Sequence, residues 1–404
     1  MIRNPFQIYS LLHNLNQMPK LSTSDAAESN AGDEFHVLWA MRKSLELLNI
    51  STDGLKAISV EGLTKIDESR LTSGDVLLGV DLTEYYGGRN FRSATKVAIS
   101  QLKYSTRNAS KSWTPSQICS GKKHKWKGSI IHKLADIFRE FYVSEKREDV
   151  LKKLSVKLVS NRPASKDVEN AIKAAHSKIT GSKKIISLPA LLKGLPAKSA
   201  AILRTFFLSS GLMIQEFVDF ITIFDLTDCN SDSRYGLKQK LLEAIAKTGN
   251  IDVKKEYNEL YQLVKEKTLP EGQIKNTLYI VDILYMFGFS DFSDLFPASS
   301  SIQPPTNLIR REQIQEIVDL IEHPQTKLLL LHAGAGMGKS TMTELIIQDI
   351  NTDHCVILLD CYGGGSYLDS DDKRHKHGNA FLQLSNELAL KSGSPFFNHK
   401  KPCK

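Results

Sequence analysis

Apolar residues recur at two different spacings in the first third of this chain, and the change of spacing predicts the order of its elements. Residues 31–48 carry apolar side chains at the three- and four-residue spacing of an amphipathic helix. Residues 96–104 alternate between apolar and polar, as a half-buried strand does, and the turn signal at 87–90 joins them to the preceding strand. The predicted order is helix 31–48, strands 56–60, 75–86 and 96–104, helix 129–142 and strand 154–160.

Helical spacing dominates from 166 to 296, where no catalytic cluster is visible, so this region is predicted to be a spacer or regulatory domain. Its clearest helical segments are 191–209, 236–247 and 251–267. Residues 297–307 are rich in Pro and Ser and predict a linker. Beyond the linker the pattern predicts helix 310–323, buried strand 327–332, helix 339–350 and buried strand 355–360.

The composition of the 404 residues indicates the kind of partner and the cellular compartment of the protein. The formal net charge of +8 favours an acidic partner. Five scattered cysteines form no CxxC pair, which favours reduced thiols and argues against a structural zinc site. The first twenty residues have no signal pattern, and no apolar run approaches the roughly 20 residues that cross a bilayer. We therefore expect a cytoplasmic protein with no membrane partner.

Charge is distributed unevenly along the chain, because residues 85–135 contain no Asp or Glu. The cations in this stretch are Arg89, Arg92, Lys96, Lys103, Arg107, Lys111, Lys122, Lys123, Lys125, Lys127 and Lys133. A solvated basic face is one interpretation, and a groove for a polyanion is the one we favour. Trp113 and Trp126 lie among these cations and either stack on bases or pack in the core.

Residues 333–341 read Ala-Gly-Ala-Gly-Met-Gly-Lys-Ser-Thr and follow four leucines. They meet the phosphate-loop pattern G-x-x-x-x-G-K-[ST], with Ala in place of the first Gly. The glycines let successive backbone N–H groups face a phosphate, Lys339 neutralises phosphate oxygens, and Ser340 can coordinate Mg²⁺. The residues predicted to hold a nucleotide are Gly334, Gly336, Gly338, Lys339, Ser340 and Thr341.

The acid that would support hydrolysis is less clear. Asp360 ends the predicted strand 355–360, but it lies only 21 positions after Lys339, a spacing that suits the neighbouring strand better. About 65 residues follow the loop, fewer than a whole phosphate-loop sheet needs, so we expect an incomplete module. The basic and histidine-containing run 374–377 is a metal or phosphate contact or, as we favour, a solvated loop.

The order helix, three strands, helix, strand is the core order of PD-(D/E)xK nucleases, which place one acid near the second strand and an (E/Q/D)-x-K triplet on the third. Here Asp81 and the triplet of Gln101 and Lys103 occupy those places, and strand residues two apart face the same side. Glu34 on the first helix is a candidate fourth member. Asp81 before a turn and an exposed QxK strand are the alternative interpretation.

Chemical roles follow from these residue types. Asp81, with the Gln101 side-chain oxygen or nearby carbonyls, would hold Mg²⁺ beside the scissile phosphate. Lys103 would orient the attacking water and stabilise charge in the transition state, and Glu34 would bind metal or position a ligand. The rival acids Glu61 and Glu84 rank lower. His36, also on the first helix, is interpreted as a packed or surface residue.

Several segments resemble a known family. GDEFHVLWAMRKSLELL, SGDVLLGVDLTEYYGG, SQLKYSTR and KLVSNRP resemble the N-terminal nuclease domain of antiviral STAND NTPases, the Avs class of bacterial anti-phage proteins, and of related double-stranded DNA endonuclease effectors. LLLLHAGAGMGKST, VILLDCYGGGSY and RHKHGNAFLQLSNELAL resemble the start of the STAND NTPase module. The resemblance covers about 25–165 and 308–395 and leaves the helical middle unplaced.

The resemblance implies an effector that cuts double-stranded DNA when ATP-bound modules assemble, most simply as a homo-oligomer. A phage-derived trigger would be recognised by a C-terminal sensor, which these residues do not include. The implied nuclease residues are Asp81, Gln101 and Lys103, and the implied ATP residues are Gly338, Lys339 and Ser340. A signalling or scaffold NTPase whose first domain binds nucleic acid without cutting it is the alternative. An ATP-driven translocase is disfavoured, because no helicase-like segments occur.

The predicted fold class is therefore α/β with several domains. The divisions are a PD-(D/E)xK nuclease core (αβββαβ) at 1–165, the helical region at 166–296, the linker at 297–307 and the opening part of a P-loop NTPase α/β domain at 308–404.

Overall fold

Six strands form one mixed sheet in a computed structural model of the chain. They are β1 (Leu55–Val60), β2 (Leu82–Tyr86), β3 (Lys96–Lys103), β4 (Leu154–Ser160), β5 (Phe224–Asp225) and β6 (Thr277–Leu278). Their order across the sheet is β5-β4-β3-β2-β1-β6. The pairs β6–β1, β1–β2 and β2–β3 are antiparallel, whereas β3–β4 and β4–β5 are parallel. The structure describes residues 25–49, 52–72, 77, 79–121, 127–181, 187–247, 252–289, 302, 309–350, 354–368 and 374–392.

Helices cover both faces of this sheet. They are α1 (Asp25–Leu45), α2 (Lys65–Glu68), α3 (Pro115–Cys119), α4 (Ile130–Ser144), α5 (Arg147–Lys153), α6 (Lys166–Thr180), α7 (Leu188–Leu192), α8 (Ala197–Ser210), α9 (Ile214–Ile223), α10 (Arg234–Lys247), α11 (Val253–Thr268) and α12 (Ile280–Met286). The parallel pair β3–β4 requires a crossover connection, and α3, α4 and α5 supply it. The predicted order of helix, three strands, helix and strand is confirmed.

Alternation along β3 assigns each face of the sheet to a different core. Val97 and Ile99 pack in a cluster with α4, α8 and α9, while Leu102 packs in a second cluster with α1, α10 and α11. The side chains of a strand point alternately to opposite faces, so both sets are buried only if both faces are covered. Strand β2 is shorter than the predicted 75–86, because Val80 donates a turn hydrogen bond to the carbonyl of Leu77 at 3.0 Å.

The region 166–296 contributes to this same structure wherever it is described. It supplies both edge strands, β5 beside β4 and β6 beside β1. Phe220 of α9 lies 5.6 Å from Phe138 of α4 and 5.5 Å from Phe224 of β5, measured between ring centroids. The described helices of this region therefore share their core with the sheet, and are not a spacer held apart from it.

The predicted helix 191–209 is interrupted in the structure. Gly194 has a φ of +79°, which only glycine adopts readily, and Pro196 precedes the first residue of α8, so α7 ends before α8 begins. The helices α8 and α9 that follow are apolar and bend by 110° where they meet. Only the two together match a membrane span in length and apolarity; no single described helix does.

The C-terminal region forms α13 (Gln313–Glu322), α14 (Lys339–Ile350) and α15 (His377–Ser392). Ile314 and Val318 pack against Ile346 and Ile350 between the first two. The predicted strands 327–332 and 355–360 are not strands in the structure. Strand pairing requires neighbouring backbone, and no described residue supplies it here; Leu328 is 88% exposed.

Candidate functional site

Strand β3 extends past the start of β2, and this overhang organises the candidate active site. Leu82, the first residue of β2, pairs with Ser100, so residues 101–103 have no strand partner on that side within the described chain. On their other side the same residues continue to pair with β4. The backbone groups of the overhang are therefore available to side chains, as buried N–H and carbonyl groups need partners.

Asp81, the residue before β2, occupies this place. Its Oδ2 accepts a hydrogen bond from the N–H of Leu102 at 2.6 Å, and its own N–H donates to the carbonyl of Ser100 at 3.0 Å. The two contacts lie on either side of Gln101, so the register sets Asp81 beside that residue. The Asp81 side chain is 11% exposed, which strengthens its interactions with nearby charges.

Lys103 brings a positive charge to the same carboxylate. Its Nζ lies 3.7 Å from Asp81 Oδ2 and donates a hydrogen bond to the carbonyl of Leu102 at 3.0 Å. The Lys103 side chain is 34% exposed, so the ammonium is open to an incoming anion as well. The structure thus brings together the Asp81 and Lys103 predicted from the sequence.

Gln101 lies on the overhang opposite Asp81 and two residues before Lys103. Its side-chain oxygen lacks a hydrogen-bond donor within the part of the chain that the structure describes. The residue is 1% exposed, and its Oε1 has no hydrogen-bond partner among the described residues. Leaving such an oxygen unpaired costs about 1–3 kcal/mol. A cation or another polar ligand at the overhang would satisfy it, so this residue fits a metal site.

His36 and Glu61 complete the cluster. His36, on α1, has Nδ1 3.5 Å from Glu61 Oε1 and Nε2 3.9 Å from Asp81 Oδ2. Its Nε2 also lies 3.1 Å from the carbonyl of Leu102. One ligand atom from each of His36, Glu61 and Asp81 can be chosen so that all three lie within 4.8 Å of one another. This arrangement could hold a metal ion.

The electrostatics of His36 reflect its two acidic neighbours. Burial favours the neutral ring, but the hydrogen bond with Glu61 and the charges of Asp81 and Glu61 outweigh it, so the pKa of His36 is raised above its usual 6.5. The positive charge of Lys103 opposes this shift in the pKa of His36. The cluster therefore attracts positive charge, which is the property that a cation site needs.

Two of these residues have minor roles in the sequence-based prediction, which favours packing or surface exposure for His36 and ranks Glu61 below Asp81. The structure places both beside Asp81. The antiparallel register of β1 and β2 brings Glu61 next to Asp81, because the N–H of Glu61 donates to the Asp81 carbonyl at 2.9 Å. Pairing the ends of the two predicted strands would have revealed this contact, whereas His36 required the tertiary packing of α1.

The other two acids lie elsewhere. Glu34 forms an ion pair and a hydrogen bond with Arg234 at the start of α10, and does not reach the cluster. Its predicted catalytic role gains no support from this position. Glu84 is buried within β2, where it contacts Lys43 at 3.2 Å and accepts a hydrogen bond from Tyr86 at 2.5 Å. The physical cause in both cases is a competing cation or donor from a distant segment.

The acid-free stretch 85–135 is divided between two ends of the sheet. Arg92 and Lys96 lie at the hairpin between β2 and β3, and Lys103 lies seven residue steps along the strand from Lys96, or about 23 Å. Arg92 is paired with Glu145 at 3.0 Å. Arg107, at the Lys103 end, is paired with Glu28 at 2.7 Å. Partners from outside the stretch thus neutralise part of its charge.

The loops that follow β3 and β4 are held together at the Lys103 end. Asn161 and Ser105 exchange two hydrogen bonds, and Arg162 donates to the carbonyl of Lys111 at 2.7 Å. The Arg162 guanidinium also lies 4.1 Å from the ring centroid of Trp113. One face of Trp113 is therefore covered by protein, which favours a packing role over base stacking. Trp126 lies outside the described residues.

The phosphate loop has the conformation that its glycines permit. Gly336 and Gly338 have φ values of +75° and +81°, a region that other residues rarely adopt. The Lys339 ammonium donates to the carbonyls of Ala333 and Gly334, each at 2.8 Å. The helix α14 begins at Lys339, so its unpaired N–H groups and positive dipole end face the loop.

Asp360, which follows the phosphate loop in the sequence, binds neighbouring backbone N–H groups. It is 5% exposed, and its Oδ1 accepts hydrogen bonds from the N–H groups of Tyr362 and Gly363 at 3.0 and 2.9 Å. Arg374, from the run 374–377, lies 4.0 Å from its Oδ2. These contacts account for the buried carboxylate without a bound metal.

No protein-family model matches this sequence, and no curated protein matches it significantly. Asp81, Gln101, Lys103, His36 and Glu61 form the cluster on which an inference of function rests.

Proposed function

We propose that this chain is a divalent-metal-dependent DNA endonuclease that hydrolyses phosphodiester bonds of double-stranded DNA. The observation that carries the proposal is the meeting of Asp81 and Lys103 on the β3 overhang, where an ammonium lies 3.7 Å from a carboxylate and remains 34% exposed. A carboxylate that binds metal and a lysine that reaches the phosphate are the two groups that metal-assisted phosphodiester hydrolysis requires.

The residues present fit a divalent cation such as Mg²⁺. Asp81 offers a carboxylate oxygen, and Gln101 offers a buried oxygen that has no partner in the described residues. Oxygen ligands of this kind suit Mg²⁺. Such an ion, when bound, would polarise the scissile phosphate and lower the pKa of a coordinated water.

The remaining steps belong to the side chains. Asp81 holds the overhang in shape through the Leu102 N–H and orients Lys103 by its charge. Lys103, released from the Leu102 carbonyl, donates to a phosphate oxygen and stabilises the negative charge that grows during attack by water.

Replacing Lys103 by alanine tests the proposal. We expect plasmid cleavage in Mg²⁺ to fall by about 10²–10³-fold, the usual cost of removing one group that stabilises transition-state charge. Lys96→Ala is a matched control, because this lysine lies on the same strand at the opposite end. The assay follows conversion of supercoiled to nicked and linear plasmid, with and without forced oligomerisation by a fused coiled coil.

Equal cutting by the wild type and Lys103→Ala in both conditions would remove the nuclease proposal. DNA binding without cutting in every variant would leave the alternative, a signalling NTPase whose first domain only binds nucleic acid. The two functions are therefore separated by one pair of proteins and one substrate.

The salt dependence of DNA binding tests which cations face DNA. With Lys103, Lys111, Lys127 and Lys133 as contacts, log K should fall with log salt with a slope of about −3 to −4. Lys111→Gln should reduce this slope by about 0.9, whereas Lys96→Gln, at the hairpin end, should leave it unchanged. Fluorescence anisotropy of a labelled duplex at several salt concentrations measures both, and binding that is insensitive to salt contradicts the assignment.

We propose further that the phosphate loop binds ATP and controls the nuclease through oligomerisation. The loop glycines, the Lys339 ammonium and the start of α14 support nucleotide binding. The resemblance to antiviral STAND NTPases supports the regulatory role and, with it, an anti-phage function. In this proposal a trigger recognised outside the described residues permits assembly, and clustered nuclease domains cut DNA.

Loss of the loop lysine should remove ATP binding. Lys339→Ala is expected to lower the affinity for ATP at least about 100-fold, because charge-assisted hydrogen bonds to phosphate contribute about 3 kcal/mol. Lys327→Ala is the control, since this exposed lysine lies outside the loop. Isothermal titration calorimetry measures both affinities. An unchanged affinity in Lys339→Ala would show that ATP binds elsewhere.

A further inference from the structure

Three ligand atoms converge beside the β3 overhang, and one of them is an imidazole nitrogen. We propose that His36, Glu61 and Asp81 together hold one first-row transition-metal ion, which this site binds more tightly than Mg²⁺. This inference rests on the proposed function, because it names the metal class of the same site and adds two ligands to Asp81.

The hydrogen bonding of His36 supports a cation between it and Glu61. Nε2 lies 3.1 Å from the carbonyl of Leu102, which can only accept, so Nε2 carries a proton. In a neutral ring Nδ1 is then an acceptor, and it faces Glu61 Oε1 at 3.5 Å. A cation between these two atoms, a proton or a metal ion, satisfies both, and the third ligand atom that converges here, from Asp81, favours the metal ion.

The distances match the requirements of one ion. Zinc and similar ions lie about 2.0–2.2 Å from nitrogen and carboxylate ligands. Two ligand atoms 3.5 Å apart can both lie at that distance from a single ion. The whole set lies within 4.8 Å, so a small inward movement of side chains completes the coordination.

Rigid elements hold the three residues in place. His36 lies within the helix α1, between the buried Phe35 and Val37. Glu61 follows β1 and has a φ of +54°, an unfavourable value for a residue with a side chain. Its N–H donates to the Asp81 carbonyl, which ties the two carboxylates together. Such preorganisation is what a metal site requires.

The choice of metal follows from the ligand types. Mg²⁺ prefers oxygen ligands in an octahedron and keeps much of its water, whereas an imidazole nitrogen favours zinc, iron, cobalt and nickel. One nitrogen and two carboxylates leave positions open for water and a phosphate oxygen.

Cobalt(II) is the probe, because its visible absorption reports nitrogen and carboxylate ligation directly. We expect the untagged chain to bind one Co²⁺ at this cluster, and a hundredfold excess of Mg²⁺ to leave it bound. His36→Gln should lower the affinity for Co²⁺ at least about 100-fold, which is more than the loss of a residue that only hydrogen-bonds to a ligand usually costs. His176→Gln is the matched control, since this histidine bonds the carbonyl of Ile221 in the other core.

Glu61→Gln is a second variant, in which a side chain of the same length keeps the backbone conformation unchanged. It should also lower the affinity for Co²⁺. Equal affinity in His36→Gln and the wild type, or displacement of Co²⁺ by Mg²⁺ at similar concentration, would overturn the proposal. If His36→Gln loses Co²⁺ binding but no protein cuts plasmid, the metal-site proposal stands and the nuclease proposal fails. If plasmid cleavage depends on Lys103 but the Co²⁺ affinity is the same in His36→Gln and the wild type, the nuclease proposal stands and the metal-site proposal fails.

Discussion

Asp81→Asn should reduce Mg²⁺-dependent plasmid cleavage by about 10³-fold or more while leaving the protein folded. In the proposed mechanism this carboxylate holds the metal, and metal stabilisation of a phosphoryl transition state amounts to several kcal/mol, each 1.36 kcal/mol being tenfold in rate. The substitution also removes the charge that lies 3.7 Å from the Lys103 ammonium. An amide oxygen can still accept from the Leu102 N–H, so the overhang keeps its shape.

The matched control is Glu34→Gln, which removes a carboxylate from α1 without touching the cluster. Glu34 pairs with Arg234, and its side chain is 38% exposed, so we expect cleavage within about threefold of wild type and a stability cost under 1 kcal/mol. Initial rates on supercoiled plasmid, with thermal unfolding of each variant, provide the comparison. Glu34→Gln as inactive as Asp81→Asn would place Glu34 in the site after all.

Phe220→Ala should destabilise the sheet and its helices by about 3–5 kcal/mol, although Phe220 lies in the helical region. Phe220 is fully buried and contacts Phe138 of α4 and Phe224 of β5. Removing the ring leaves a cavity in the core that both regions share. All three tryptophans of the chain lie before residue 130, so none of them belongs to the helical region. The urea midpoint of that fluorescence should fall.

Leu208→Ala is the control for this experiment. Leu208 lies on α8 and is 62% exposed, so its loss should change the free energy of unfolding by less than about 0.5 kcal/mol. A fluorescence midpoint that stays at its wild-type value in Phe220→Ala, while helix melts earlier by circular dichroism, would mean that the helical region folds separately. The described core argues for one cooperative unit instead.

The two candidate sites differ in how completely the chain forms them. The phosphate loop is local, because nine consecutive residues supply its glycines, its lysine and the start of its helix. The Asp81 cluster draws on α1, the end of β1, the residue before β2 and the overhang of β3. A substitution in any of these elements can move the second site, whereas the first depends on one segment.

Local periodicity determined much of the fold in advance. The bounds 154–160 of β4 and 339–350 of α14 were predicted without error, since buried alternation and helical spacing are properties of consecutive residues. The hairpin of β2 and β3 was predicted as well, and it brings Asp81 to Lys103. These features depend on a few neighbouring side chains, which the sequence shows directly.

Only the tertiary structure decided which distant residues join them. Arg234 takes Glu34 away from the site, the packing of α1 brings His36 to it, and the edge strands β5 and β6 bind the helical region to the sheet. Glu145 and Glu28, outside the acid-free stretch, neutralise two of its arginines. Such contacts join residues tens to hundreds of positions apart, and no periodicity along the chain records them. The sequence alone thus determined strands β1, β3 and β4, the hairpin of β2 and β3 and the glycine-rich loop, while long-range packing determined which side chains gather beside Asp81 and which cations have acidic partners.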